Sequence, residues 1–468
     1  MTQRFAFLIL TLLLGLPVRS TAQSKFIMST RVMDAYQDIT SLKLAIGQLK
    51  LNEAKISESN NAMVYYIENY IDFFTLFIQE DYNSYKKLLA NRDKRLEKIK
   101  LGDPNSPYYL FCQAEIILQW ATIKLKFDKK ISAASDVYSA YKLLEENKQR
   151  FPNFVENNKS LSIIHALAES VPSWVRNLMG IKGSVAVGTR EIEELVQYSV
   201  KTNSIFKNEI IAIYSYILFY SNNRKEDAFR LYNEYKLDHR KNPLIAFLKS
   251  TMAHNTGRND LAIKILEERP SGSQYLPFYY LDFIYGKYKL YRLDRDAKSY
   301  LIKFIDNFTG QHYIKEAYQK LAWCNLIIDN DVNSFHKYMK SCSLYGSKLI
   351  DEDIQAYNEA RSEQVPDPIL LKARVLFDGG YYVKAKQLLE QNTTKYANSI
   401  NDGEFYYRMA RILDALKSNN EALKFYDITI KRSDPSRYYA CSAALNAGLI
   451  YEQAKNYKKS TSIFQSMP

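Results

Sequence analysis

The chain has 468 residues, enough for two or three ordinary domains or one long solenoid. Its 15 glycines and 12 prolines are about half of average usage, which argues against Gly-rich nucleotide folds, β-sandwiches and disordered linkers. With 47% hydrophobic and 25% charged residues it is globular, and four cysteines in this length exclude a disulfide scaffold.

The N-terminus reads as a secretory signal peptide over residues 1–22. Arg4 precedes an uncharged run from Phe5 to Leu16, and Pro17 leads to the small exit Ser20-Thr21-Ala22. The run is too short to span a bilayer, which needs about 20 apolar residues. No cysteine stands at the cleavage site, so a lipoprotein anchor is not expected. Export to a periplasm or cell envelope as a soluble protein follows, with no transmembrane segment once the signal is removed. Loss of Arg4 and Arg19 takes the formal charge from +13 to +11. The basic residues are spread along the chain and mixed with acids, so no specific nucleic-acid partner is expected.

Residues 23–160 read as N-terminal helical pairs, rich in aromatics but irregular against any fixed period. The helices expected there cover 61–79, 81–100, 107–126 and 131–150, with Ala121 and Ala133 twelve apart, and Phe151-Pro152-Asn153 stops the last. Residues 161–205 read as a non-repeat insertion holding Pro172-Ser173-Trp174, Gly180, Gly183 and Gly188. From 206 to 345 a repeat emerges. Ala228, Ala262 and Ala297 recur at about 34 residues, each followed four residues later by a large side chain: Tyr232, Leu266 and Leu301. A weaker unit places Ala322 in a first helix and Ser334 and Tyr338 in a second.

Residues 346–468 carry the clearest units. The first has Ile369, Ala373 and Leu376, then Ala385 and Leu389. The second has Tyr406, Met409, Ala410 and Leu413, then Ala422 and Tyr426, with the polar turn 417–420 between and Asp434-Pro435 closing it. The third has Gly448 and Tyr451, then Ser460 and Phe464. A small residue lets two helices approach, and the large ones fill the space between pairs. The chain stops at Pro468 without the polar covering helix that usually ends a solenoid, so this end reads as uncapped.

These patterns resemble the tetratricopeptide repeat (TPR). The resemblance implies an all-α, TPR-type helix-turn-helix superhelix, an α-solenoid, with an irregular helical N-terminal part. Residues 163–167, Pro172, Leu178-Met179-Gly180-Ile181-Lys182-Gly183 and Gly188 are similar to a signature of the eukaryotic repeat family that includes the inclusion-body clearance proteins. Here Ile181 replaces an aromatic residue and Ser184 an acid. The segment Tyr313–Trp323 resembles exported repeat proteins of Bacteroidota-type bacteria. Such families imply protein binding and supply no catalytic residues.

Catalytic chemistry is not visible. In the segment 180–188 Lys182 precedes the second Gly, unlike a phosphate loop, and no hydrophobic strand leads in. His165, His239, His254, His312 and His336 lack metal-ligand spacing. Asp351-Glu352-Asp353 reads as a first helical turn and Asp329-Asn330-Asp331 as a turn between helices. Cys112, Cys324, Cys342 and Cys441 read as buried free thiols. Neither catalytic residues, nor a metal site, nor a cofactor is expected.

The groove lined by successive first helices is the candidate binding surface. Trp323, Arg374 and Arg411, each following the small mid-helix residue, should face it, with Lys320, Tyr407 and Arg408 beside them. Arg374 and Arg411, one repeat apart, could hold carboxylates of an acidic or C-terminal peptide segment. The function so implied is a non-enzymatic protein-protein interaction scaffold of the bacterial cell envelope. The alternative is a glycan- or polyanion-binding receptor, for which the 38 tyrosines would supply stacking faces.

Overall fold

The computed structural model describes residues 23–170, 180–396, 399–433 and 438–465. The segment 1–22 that reads as a leader, Pro172–Trp174, Leu178-Met179, Asp434-Pro435 and Pro468 lie outside them. Three hairpins open the chain: α1 (Thr30–Thr40) with α2 (Leu44–Ser57), α3 (Met63–Gln79) with α4 (Tyr82–Lys100), and α5 (Pro107–Lys126) with α6 (Lys130–Arg150). Within the segment read as an insertion, α7 (Asn158–Leu167) packs along α8 (Val185–Lys201). Gly188 makes that contact close: a Cβ there would lie 2.2 Å from the Ser162 carbonyl oxygen. α9 (Lys207–Tyr216) runs into a π-turn (Ile217–Ser221) and is followed by α10 (Lys225–Glu234).

The repeat then continues as α11 (Pro243–Asn255) with α12 (Asn259–Glu267), α13 (Tyr279–Arg292) with α14 (Ala297–Asn307), and α15 (Ile314–Ile327) with α16 (Val332–Leu344). An additional helix, α17 (Asp351–Arg361), interrupts it. It resumes with α18 (Pro368–Asp378) and α19 (Tyr382–Glu390), a short α20 (Thr393–Tyr396), α21 (Asp402–Ala415) with α22 (Asn419–Arg432), and α23 (Tyr439–Gln453) with α24 (Tyr457–Gln465).

Local chemistry explains where helices begin. Asn242 accepts from the Leu244 and Ile245 amides, and Asp367 from Ile369 and Leu370; Pro follows at the first helical position in both. Each turn inside a pair carries one left-handed residue: Asn223, Gly257, Leu293, Asn330, Gly380, Lys417 and Lys455. These recur every 34 to 38 residues except between 330 and 380, where α17 is inserted.

The small-residue pattern is seated as the period requires. Ala228, Ala262, Ala297, Ala322, Ala373, Ala385, Ala410 and Ala422 are all fully buried. Gly286 gives α13 the same notch, since a Cβ there would meet the Ala297 carbonyl at 2.9 Å. Gly448 lies against the Phe464 ring. One register differs from expectation: in α16 the buried face is Phe335, Met339 and Cys342, one residue on from Ser334 and Tyr338, which are half-buried. The aromatic Phe335 outcompetes serine for the space between helices.

The hydrophobic interior divides into two clusters, one running from Val32 to Val375 and the other from Leu370 to Ile450. Helix α18 serves both, with Leu371 and Val375 on one side and Leu370, Ala373 and Leu376 on the other. The first helices of the pairs also pack on one another. α13 touches α15 and, beyond it, α18, so this row of helices curves inward. The chain is thus an all-α helix-turn-helix superhelix of the TPR type, with a helical N-terminal part laid along it. That part is fastened at loop edges: the Leu276 amide donates to the Leu42 carbonyl (2.7 Å), Asn242 to the Thr40 carbonyl (3.0 Å), and Thr309 to the Gln79 carbonyl (3.0 Å). No described helix is long and apolar enough to cross a membrane.

Candidate functional site in the inner groove

Arg374 stands on α18 one residue after the buried Ala373. Arg408 and Arg411 are three apart on α21, which places them on one helical face. Packing of α18 against α21 brings these residues to one pocket of about 160 Å³, lined by Arg374, Phe377, Asp378, Tyr407, Arg408, Arg411 and Tyr438 among others. Four of the six residues expected at the groove therefore converge.

The other two lie beneath it. Trp323 is fully buried, and Lys320 nearly so. The Lys320 ammonium lies 4.0 Å from the indole ring centre and the Arg374 guanidinium 4.6 Å from it. Trp323 thus supports Arg374 from below rather than presenting its own surface. Burial, with Arg374 and Lys287 nearby, holds the Lys320 ammonium below the usual lysine range, against the pull of Glu316.

The cations of the site are not equivalent. Arg374 Nη1 is 3.7 Å from Glu359 Oε2, and its Nε is 4.0 Å from Asp378. Arg408 Nε donates to Glu404 Oε1 at 2.8 Å. Lys320 lies 3.5 Å from Glu316 and donates to Gln319 at 2.8 Å. Arg411 makes no ion pair among the described residues. It donates to the Tyr407 hydroxyl at 3.2 Å and lies over the Phe377 ring at 5.1 Å.

Sequence reasoning missed Asp378. It is the last residue of α18, four after Arg374, directly before Gly379-Gly380. It accepts no hydrogen bond among the described residues, and its surroundings raise its carboxyl above the ordinary aspartate range because burial outweighs Arg374, Lys320, Arg408 and Arg411. Its side chain nevertheless keeps 36% of its surface open to solvent. Both observations fit a residue on the floor of a groove, surrounded by protein yet reachable.

Phe377 and Asp378 also line a second pocket of about 350 Å³, with His254, Asn255, Gly257, Tyr291, Gly380 and Tyr382. This space exists because two distant turns touch. Gly380 has φ +78°, and a Cβ on it would lie 2.9 Å from the Gly257 carbonyl oxygen, so only glycine fits both the backbone and the contact. The Tyr381 hydroxyl donates to Asp260 at 2.8 Å and accepts from Asn259 at 3.2 Å, locking the turns together. His254 stacks on Tyr288 at 4.2 Å and on Tyr291 at 5.5 Å. Burial, aided by Lys287, lowers its pKa to about 4, so it is neutral at physiological pH.

The remaining histidines and acids are placed structurally. His165 lies 2.6 Å from Glu191, His239 2.9 Å from Glu268 and His312 2.7 Å from Glu80. Asp331 caps α16 through the Ser334 amide. Among the described residues no group of three His, Cys, Asp or Glu is arranged to hold a metal ion. Cys112, Cys324 and Cys342 are buried free thiols as expected, but Cys441 is exposed, because it lies on the outer face of α23 between the buried Ala440 and Ala443.

No family model and no curated protein matches the sequence. Among solved structures the chain is similar to one in the crystal structure of the APC/C hetero-tetramer Cut9-Hcn1, at 11% identity over 92% of this chain and 87% of that one, with a TM-score of 0.28. It is also similar to one in the structure of Naa15/Naa10 bound to HypK-THB, at 12% identity over 93% of this chain and 62% of that one, with a TM-score of 0.18. At these scores the likeness carries no functional inference.

Proposed function

We propose that this protein is a non-enzymatic interaction scaffold that captures segments of partner proteins in its inner groove, with Arg411 and Arg374 receiving a carboxylate from an acidic side chain or a chain terminus. The observation that carries this reading is the convergence of Arg374, Tyr407, Arg408 and Arg411 on one pocket while Arg411 has no ion-pair partner among the described residues. A desolvated guanidinium without a counter-charge gains most from a carboxylate, which it can bind through two parallel N–H donors. Trp323 and Glu359 hold Arg374 in place beforehand, which lowers the entropy lost on binding. The leader read in residues 1–22 supports action in a bacterial periplasm or envelope.

The test is capture from an envelope extract by the immobilised mature chain, with bound material identified by mass spectrometry at low and moderate salt. A protein partner retained at moderate salt and lost with Arg374→Ala/Arg411→Ala, at unchanged thermal midpoint, is expected. Capture unaffected by the double variant removes this pocket. Recovery of polyanions alone, all released by salt, overturns the scaffold reading.

A further inference from the structure

The two pockets that meet at Asp378 differ in chemistry. On the α21 side, guanidinium groups dominate. On the side of the α11/α12 turn, the walls are the rings of Tyr291, Phe377, Tyr382 and His254, and the charge-bearing group is the Asp378 carboxylate. Aromatic rings and one acid around a cleft are the surroundings that favour an organic cation, through ring quadrupoles and a direct ion pair.

Charge matching sharpens this. Arg374 faces Glu359, Arg408 faces Glu404, and Lys320 and Lys287 face Glu316. Removing these matched groups leaves, among the described residues of the two pockets, one cation, Arg411, and one anion, Asp378, whose one ion-pair contact is the 4.0 Å approach of Arg374. His254 adds no positive charge, since its pKa is near 4. The groove is thus complementary to a segment that carries a negative and a positive group next to each other.

We propose that the pocket between the α11/α12 turn and the α18/α19 turn takes a lysine or arginine side chain of the bound segment, Asp378 pairing with its charge and Tyr291, Phe377 and Tyr382 enclosing its stem. This rests on the inner groove being the binding surface, and it makes Asp378 the residue that selects among carboxylate-bearing segments. A segment with an apolar or acidic side chain at this point covers Asp378 without pairing it and binds less tightly.

The experiment uses small probes and the full mature chain, read by calorimetric titration at low salt. Nα-acetyl-L-arginine amide (arginine amide) carries a single cation and no carboxylate; Nα-acetyl-L-citrulline amide (citrulline amide) has nearly the same shape but a neutral urea side chain. N-acetyl-L-alanine carries only the carboxylate. Arginine amide should bind with a dissociation constant on the order of millimolar, with citrulline amide at least about tenfold weaker. Asp378→Asn should weaken arginine amide by about tenfold or more and should not weaken N-acetyl-L-alanine, whose carboxylate no longer competes with that of Asp378. Tyr382→Leu, which removes a ring and no charge, should weaken arginine amide by about threefold. Equal binding of the arginine and citrulline amides, or unchanged arginine amide binding to Asp378→Asn, overturns the proposal. Failure of N-acetyl-L-alanine alone overturns the carboxylate reading of Arg411 and leaves the cation pocket standing.

Discussion

The carboxylate of Glu359 accepts a hydrogen bond from the Trp323 indole Nε1 at 2.7 Å. The same carboxylate accepts from Gln319 at 2.8 Å and lies 3.7 Å from Arg374. Glu359 belongs to α17, the helix that breaks the repeat spacing, so the inserted element supplies the acid that fixes the floor of the groove. Glu359→Ala would leave the buried indole N–H and the Gln319 amide without partners, at a cost of about 1–3 kcal/mol. A lower urea midpoint together with a changed tryptophan emission maximum is the expected result. An unchanged midpoint would mean that the Trp323–Arg374 stack holds itself.

The Lys159 ammonium joins four helices directly and a fifth through Glu209. It is fully buried, 2.6 Å from Glu115, 2.8 Å from Glu209 and 3.0 Å from the Tyr70 hydroxyl, and Tyr36 donates to Glu209 at 2.8 Å. Burial pushes the ammonium pKa down, but the two carboxylates outweigh it and hold it above the usual range. A raised lysine pKa gives stability that is complete below the unfolded value of 10.5 and fades only as pH rises through the folded one. Lys159→Met should destabilise by about 3–5 kcal/mol at neutral pH, because Glu115 is left as a buried uncompensated charge. Lys159→Met/Glu115→Leu should recover part of it. A single variant as stable as the parent would show that water reaches Glu115.

The repeat was legible because its signal is local. Ala373 and Ala410 sit at fixed offsets from large partners, and burying an alanine at a helix crossing is the one arrangement that uses that spacing. Arg374, Arg408 and Arg411 followed from the same register. What the period could not reveal is what depends on contacts between distant turns. Asp378 and His254 face one space only because Gly380 meets Gly257 more than a hundred residues away in sequence, and no offset rule links them. Trp323, expected to face the groove, is 0% exposed: its indole donates to Glu359 of α17 and lies against Arg374. The Phe335 register failed for a simpler reason: Ser334 fits the small-residue template, but an adjacent aromatic gains more by burial.

Asp353 shows how a first-turn acid acquires a second role. It lies in the first turn of α17, as its sequence position suggests, but its carboxylate points to the start of α15. There it accepts from the Tyr313 amide at 2.7 Å and the Glu316 amide at 3.0 Å. Helix α15 has no side-chain cap of its own and begins at Tyr313 with φ 64°, so Asp353 serves in its place. Burial raises the Asp353 pKa to about 6, although both amide donors and His312 oppose the shift. The folded protein then takes up a proton on this group between the ordinary value of 3.8 and about 6. Stability from Asp353 is accordingly greatest below the lower value and falls as pH rises through about 6, by up to about 3 kcal/mol. Glu68, Glu80 and Glu191 have lowered pKa values and drive stability the opposite way, so the readout must be a difference. Asp353→Asn keeps the size and one acceptor but cannot titrate. The advantage of the parent over this variant, measured by urea midpoints, should be larger at pH 4.5 than at pH 7. An advantage that grows with pH would mean that the two amide donors favour the carboxylate more than burial opposes it.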